Sequence, residues 1–337
     1  MTFDDDSLLD PSGFIFQTQV RARKHRSQAK GRRGGMRLAS AQIGRVTRRR
    51  PEVMVKVTGS ARGFRSLKEH LAYITRNGKI GAEQEGCERI EGAVNVRELA
   101  EQWWADCGRD RKASARDTIN LILSMPPGTN PDAVAAAASA FARKTFGGAY
   151  DYLLAHHNHD TDPKHPENPH AHLTIKTRGR SGQRLDPRKD DLQAWREAFA
   201  AELRERGVIA EATPRRVRGV VRKGQKQAIR HLDARRASRV TLWKLQHAVK
   251  AAEAGVAPAS AGPWMQAIAE RQRKVRAAWA TIGHALEAEG HVAMALEIQQ
   301  FLAGMPPVET ERERMLAQAR KLIDQRQAQE GGKDRAR

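Results

Sequence analysis

The sequence predicts an α+β domain, an antiparallel sheet with flanking helices, preceded by a flexible basic arm and followed by a helical C-terminal appendage. Three observations carry this prediction. Alternating, β-branched stretches interleave with amphipathic ones between residues 51 and 213. The last two strand-like stretches in that span follow each other without a helix between them, which makes them antiparallel neighbours. Beyond residue 213 strand-like stretches cease and helical periodicity takes over. The expected divisions are therefore 1–50 for the arm, 51–213 for the α+β domain, and 214–337 for a basic connector with the helical region.

Residues 1–50 begin acidic and turn into VRARKHRSQAKGRRGGMR and GRVTRRR, with little hydrophobic periodicity, the composition of a disordered arm. Order is expected from Pro51, with Glu52 to Thr58 alternating as a strand. A helix over 66–76 follows. Ser66 and Glu69 stand at capping-box spacing, Leu67, Leu71 and Ile74 form the apolar stripe, and Asn77-Gly78 ends it. Residues 78–95 read as a loop, Val96 to Trp104 as a helix, and Arg116 to Met125 as a strand stopped by Pro126-Pro127-Gly128. Asn130-Pro131-Asp132 starts an alanine-rich helix that runs to about Phe146. A strand then carries Tyr150, Tyr152 and Leu154, and another opens near Ala171 and ends near Thr177. A helix over 190–206, capped by Gly207, completes the domain. In the C-terminal region, helical patterns cover 224–253 and 263–303, Pro306-Pro307 interrupts them, and a charged helix runs from Glu309 to Gln329.

The charge narrows the function classes. A formal net charge of +21 and a pI of about 10.6 favour a polyanionic partner, and nucleic acid held through its phosphates fits best. Arg76, Lys176, Arg178, Arg215, Arg216 and Arg218 are the expected contacts. Aromatic residues make up 5% of the chain, too few for a surface built mainly on base stacking. Mean hydropathy is −0.67; no apolar run reaches the length of a membrane span, and the start lacks a signal-peptide core, so the expected location is cytoplasmic. The 2 cysteines, Cys87 and Cys107, lack CxxC spacing, which fits a reducing compartment and excludes a thiolate zinc site.

Chemistry concentrates in 149–178, AYDYLLAHHNHDTDPKHPENPHAHLTIKTR, a strand, a proline-punctuated loop and a strand. His156, His157 and His159 leave the first strand, and His170 and His172 enter the second. His170 and His172 are two apart, so they share one face. Two imidazoles on one face and a third from the neighbouring strand make a three-histidine cation site with open positions. Scattered histidines are usually only a polar loop. The run HPENPHAH packs too many potential ligands at a strand start for that account. A helical tyrosine such as Tyr73 is ordinarily a partly buried core residue, but beside a metal site a phenolate can attack a phosphodiester.

Tyr73 within HLAYITRNGK, the strand TINLILSMPPG, and then HHNHD with NPHAHLTIKTR occur in an order that resembles the relaxases. These are the VirD/MobA-like plasmid-mobilisation and T-DNA border nucleases with a histidine-hydrophobe-histidine site. RLDPRKDDLQAWREAFAAELRERG and ATPRRVRG resemble the family's continuation, so the likeness covers about 51–220. It implies a sheet of about five antiparallel strands. It also implies a helix-borne tyrosine, here Tyr73, that attacks a DNA phosphate at a transfer origin beside a cation held by three histidines. Two ligands would be His170 and His172. The family pattern is His-x-Asp, a short loop and His-Pro-His-x-His; here HHNHD precedes a longer loop and His165-Pro166 is separated from Pro169-His170. The first ligand is then His157, at the expected strand end, with His159 close behind and His156 also open. Asp160 or Asp162 would orient a histidine.

The resemblance implies a metal-dependent DNA nickase and strand transferase working through a covalent phosphotyrosine, for conjugative mobilisation. Its cofactor would be a divalent metal, Mg or Mn, with Zn, Ni or Co also suited to imidazole. Its partners would be single-stranded or supercoiled origin DNA, accessory DNA-binding proteins and type IV secretion coupling proteins. One rival is a metal-dependent endonuclease that activates water. Another is a non-catalytic basic DNA-binding accessory protein. Covalent attachment of DNA separates the first rival, and any nicking at all the second.

Overall fold

The structure is a computed structural model, described over residues 43–334 apart from 87, 108–113, 159–167, 216, 221–226, 236–237 and 256–262. Most of the expected arm, together with Cys87, His159, Asp160, Asp162, His165 and Arg216, lies outside the described residues. The described residues divide into two compact units, 43–214 and 215–334.

The first unit is built on a six-stranded sheet, β1 (Met54–Gly59), β2 (Ala82–Gln84), β3 (Arg89–Ile90), β4 (Thr118–Ser124), β5 (Tyr152–His157) and β6 (His170–Lys176), in the order β1-β4-β6-β5-β2-β3. Every neighbouring pair is antiparallel. The central strand β6 is buried along its whole length, HAHLTIK, between β4 and β5. The expected loop at 78–95 in fact contributes β2 and β3. Both are short and polar, and only Ala82 is buried, so no hydrophobic alternation marks them in the sequence.

Helices flank the sheet on both faces. On one face, Leu153 and Ala155 of β5 and Ala82 of β2 pack against α1 (Phe64–Ile74) and α2 (Ala93–Ala105). On the other, Leu121, Leu123, Leu154, Leu173 and Ile175 pack against α3 (Pro131–Phe146) and α4 (Lys189–Glu205), with Phe141 and Phe199 at the centre. Asn130 caps α3 as expected, its side chain accepting from the Asp132 and Ala133 amides.

Helix α1 begins two residues before the expected cap. Its N-cap is Gly63, whose N–H donates to the Asp117 carboxylate at 2.7 Å. Glu69 pairs with Arg65 one turn earlier instead of reaching back to the helix start. The stripe itself is as the sequence predicts: Leu67, Leu71 and Ile74 are buried, contributing about 1.5–3 kcal/mol each. That exceeds the roughly 1 kcal/mol of a single hydrogen bond, so the stripe docks the helix and its polar contacts orient it. One such contact joins His70 Nε2 and Thr174 Oγ1 at 3.0 Å, from helix to central strand.

In the second unit, α5 (Gln227–Ala234) and α6 (Arg239–Glu253) precede α7 (Pro263–Ala288), α8 (Val292–Ala303) and α9 (Glu311–Asp334). Each of the two long helical patterns is thus broken once, the second at Gly290, whose φ is 83°. Trp279 is completely buried beside Phe301, and its indole N–H donates to the Val217 carbonyl at 2.9 Å. Among the described residues no helix is long and apolar enough to cross a membrane.

Burial lowers the pKa of His70 from 6.5 to about 4. The unfolded chain therefore binds a proton between those values that the folded chain refuses, so stability is full above about pH 6.5 and falls as the pH drops toward 4. Wild type should lose on the order of 2 kcal/mol more than His70→Asn between pH 7 and 4.5, read as urea-unfolding free energies. Parallel losses would mean His70 is not held neutral.

Candidate active site

The backbone register brings three histidines to one point. His157, the last residue of β5, lies directly across from His170, the first of β6. His172 is two residues further along β6 and so projects from the same face. All three are buried, and each offers a ligand atom within 4.8 Å of the others. Their ring centroids are 4.8–5.2 Å apart.

Carbonyl partners set two of the tautomers. A carbonyl only accepts, so a ring nitrogen beside one must carry the proton. His157 Nε2–H donates to Ile74 O at 2.6 Å, which leaves Nδ1 as its lone-pair nitrogen. His170 Nδ1–H donates to Asn168 O at 2.9 Å, which leaves Nε2. Outer carbonyls that orient imidazoles in this way are characteristic of metal-binding histidines. Three neutral imidazoles are a suitable donor set for a divalent cation, with further positions left for phosphate oxygens or water.

Ile74 is also the last residue of α1. The carbonyls at the helix end each find a donor: Leu71 O accepts from Thr75, Ala72 O from Asn77, Tyr73 O from Arg76, and Ile74 O from His157. The same hydrogen bond that orients His157 therefore ties the end of α1 to the histidines. Tyr73 sits beside it at the edge of the apolar stripe, 49% exposed. Its ring is 6.1 Å from that of His172, edge to face, and the Arg76 guanidinium lies 4.8 Å from the phenol ring centroid. The result is a half-exposed phenol beside a cluster of three buried imidazoles.

The other candidates separate cleanly. His156 faces away from the trio, because adjacent strand residues alternate. Its Nε2 meets Ser139 Oγ of α3 at 3.3 Å, and Ser139 donates to Glu83 at 2.6 Å. Burial pushes the His156 pKa down, with Glu83 opposing and Arg89 reinforcing. Lys176, expected to contact phosphate, is instead buried at the far end of β6, where Nζ binds Asp106 at 2.8 Å and Asp151 at 3.1 Å. Burial opposes its charge, but the two carboxylates outweigh that and hold its pKa above the usual value. Lys176 is a structural tie between strand and loop. Arg178 is exposed just past the same strand end, away from the histidines, while Arg76 adjoins Tyr73. Arg215 and Arg218 belong to the second unit. The sequence reading passed over Asn168, whose carbonyl orients His170; only its place two residues before that histidine marks it.

Residues 73–208 match the relaxase family model described as the MobA/VirD2-like nuclease domain. The chain is 26% identical over 218 residues to the T-DNA border endonuclease VirD2 of Rhizobium radiobacter, an alignment that covers 58% of this chain and 49% of that protein. The chain thus spans about half the length of this curated relative. Among solved structures, one from work on the molecular basis of vancomycin resistance transfer in Staphylococcus aureus is similar at 16% identity and a TM-score of 0.32, covering 49% of this chain and 98% of that one. The conjugative relaxase TrwC in complex with OriT DNA is similar at 12% identity and a TM-score of 0.30, covering 80% of this chain and 98% of that one.

If Lys176 is a structural tie, Lys176→Met should lower stability by about 1–3 kcal/mol, because two carboxylates lose their partner. Urea denaturation measures this, and an unchanged midpoint would return Lys176 to the set of available cations.

Proposed function

We propose that this chain, whose residues 73–208 match the MobA/VirD2-like relaxase nuclease model, nicks one strand of DNA at a transfer origin through a covalent phosphotyrosine. The observation that carries the reading is the position of Tyr73, a half-exposed phenol whose ring lies 6.1 Å from one of three converging histidines.

The chemistry balances as a transesterification. Tyr73 Oη forms a bond to phosphorus, the bond from phosphorus to the oxygen of the departing strand end breaks, the phenol proton passes to water, and the departing oxygen takes up a proton. One phosphodiester replaces another, so the reverse reaction with a free hydroxyl rejoins or transfers the strand. His157, His170 and His172 would hold a divalent cation, Mg or Mn in use, through neutral nitrogens. When bound, the cation would polarise the phosphate and offset the charge of the pentavalent state. Ile74 O and Asn168 O keep His157 and His170 in fixed tautomers. Arg76, against the Tyr73 ring, adds positive charge where the phosphate must approach. The T-DNA border activity in the name of VirD2 is in keeping with an origin-type substrate. Conjugative mobilisation, with accessory DNA-binding and type IV secretion coupling proteins as partners, is the corresponding biological role.

Tyr73→Phe should keep the fold and single-stranded DNA affinity but abolish the protein–DNA adduct on a denaturing gel. An adduct at wild-type level would point to Tyr150 or Tyr152. Loss of the adduct with nicking retained would favour a water-activating nuclease.

His172→Ala should remove the rise in melting temperature that Mn produces in the wild type, since two imidazoles hold a cation far less firmly than three. An undiminished rise would place the metal elsewhere.

A further inference from the structure

Past the C-terminal end of the tyrosine helix lies an open cleft of about 770 Å³ lined by Arg76, Asn77, Lys79, Ile80, Gly81, Arg89 and His156. We infer that this cleft is a second phosphate subsite, which holds a backbone phosphodiester of the single DNA strand next to the one that Tyr73 attacks. This rests on the nicking reading above and extends it to residues that reading does not use.

Charge is the first argument. Three of the lining residues are cationic and none is acidic among the described ones. Glu91 pairs with Arg89 in an exposed ion pair, weak enough for a phosphate to displace, and Glu83 accepts from Ser139 on the α3 side of the sheet. Lys79 is exposed.

Backbone conformation is the second. Arg76 and Asn77 have φ of 50° and 56°, and Gly78 follows at 79°. Two consecutive non-glycine residues in the left-handed region are uncommon and cost energy that other contacts must offset. Those contacts are present. Asn77 N–H donates to Ala72 O at 2.7 Å, Ile80 N–H to Thr75 O at 2.9 Å, and Gly92 N–H to Gly78 O at 3.0 Å. A Cβ on Gly78 would fall 2.2 Å from the Gly92 backbone, so only glycine allows that approach. A helix could have ended on Gly78 alone. The extra left-handed residues instead turn Arg76 and Asn77 into the cleft immediately after the tyrosine helix.

Gly81 is the third. A Cβ there would lie 2.4 Å from Arg89 Nε and 2.6 Å from Glu91 Oε1, so its absence lets the Arg89–Glu91 pair lie against the cleft wall. Arg76 joins the two places, since it lines the cleft and also covers the Tyr73 ring. A strand gripped here has its neighbouring phosphate delivered to the phenol. The volume suits a nucleotide-sized group, and the scarcity of aromatic side chains in the lining favours phosphate over base as the group held.

The test uses the full chain and a fluorescent single-stranded oligonucleotide, with affinity measured by anisotropy from 50 to 200 mM salt. Lys79→Ala combined with Arg89→Ala should weaken binding at least about tenfold at low salt and reduce the slope of log affinity against log salt by about 0.7, the value for one phosphate contact on a single strand. Both residues are exposed, so folding should persist, and Lys79→Arg with Arg89→Lys should restore the slope. Adduct formation by the wild type is assayed in parallel. A wild type that forms the adduct, with a double alanine variant of unchanged affinity and slope, overturns the subsite and leaves the nicking reading standing. A wild type without adduct whose binding still depends on Lys79 and Arg89 overturns the nicking reading and leaves the subsite. A wild type that binds no single strand overturns both.

Discussion

One hydrogen bond, from His157 Nε2 to the carbonyl of Ile74 at 2.6 Å, sets the geometry on which the site depends. The last carbonyls of a helix have no partners within it, and a buried one left unmet costs roughly 1–3 kcal/mol. Here the final carbonyl of the tyrosine helix is met by a histidine from the sheet. The bond therefore does three things at once: it closes the helix, fixes the histidine tautomer, and holds the residue next to Tyr73 at a set distance from the metal-type cluster. It also places the negative end of the helix dipole near that cluster, where it favours a bound cation.

The strand pairing supplies the other half of the constraint. His157 faces His170 only in the observed register of β5 and β6. A slip of one residue would turn His170 and His172 to the opposite face, where Leu173 and Ile175 now pack against α3 and α4. The same slip would bring those apolar side chains to the α1 side. The burial of β6 along its entire length thus protects the histidine geometry, because a one-residue slip loses core packing on both faces. Stability of the fold and precision of the site are here the same requirement.

The parts that could be read from the sequence are those written in periodicity. The stripe Leu67, Leu71, Ile74 placed Tyr73 at an edge, and the spacing of His170 and His172 placed them on one face, because both follow from helix and strand geometry alone. Choosing His157 over His156 depended on where β5 ends, and alternation with cross-strand pairing puts His157, not His156, on the face of His170 and His172, while His159 lies outside the described residues. The short strands β2 and β3 escaped notice because AEQ and RI carry no pattern, and they are strands only by pairing with β5 and with each other. The helix start was misplaced because Ser66 and Glu69 have capping-box spacing, while the carboxylate that engages the Gly63 amide comes from Asp117, 54 residues away.

Charge was the least legible property, and for a physical reason. A net charge of +21 marks a partner for polyanions, but it does not say which cations are available to one. Lys176, next to a motif residue and basic, looked like a phosphate contact, yet Asp106 and Asp151 already neutralise it in a buried position. Lys144 is tied in a comparable way to Glu202 and Glu205 across α3 and α4. Such ties can only be seen once distant carboxylates are brought together in space. What distinguishes Arg76 is that its guanidinium rests on the Tyr73 ring rather than between two carboxylates. A guanidinium stacked on an aromatic face keeps its planar fork beside that ring, the arrangement by which arginine meets phosphates.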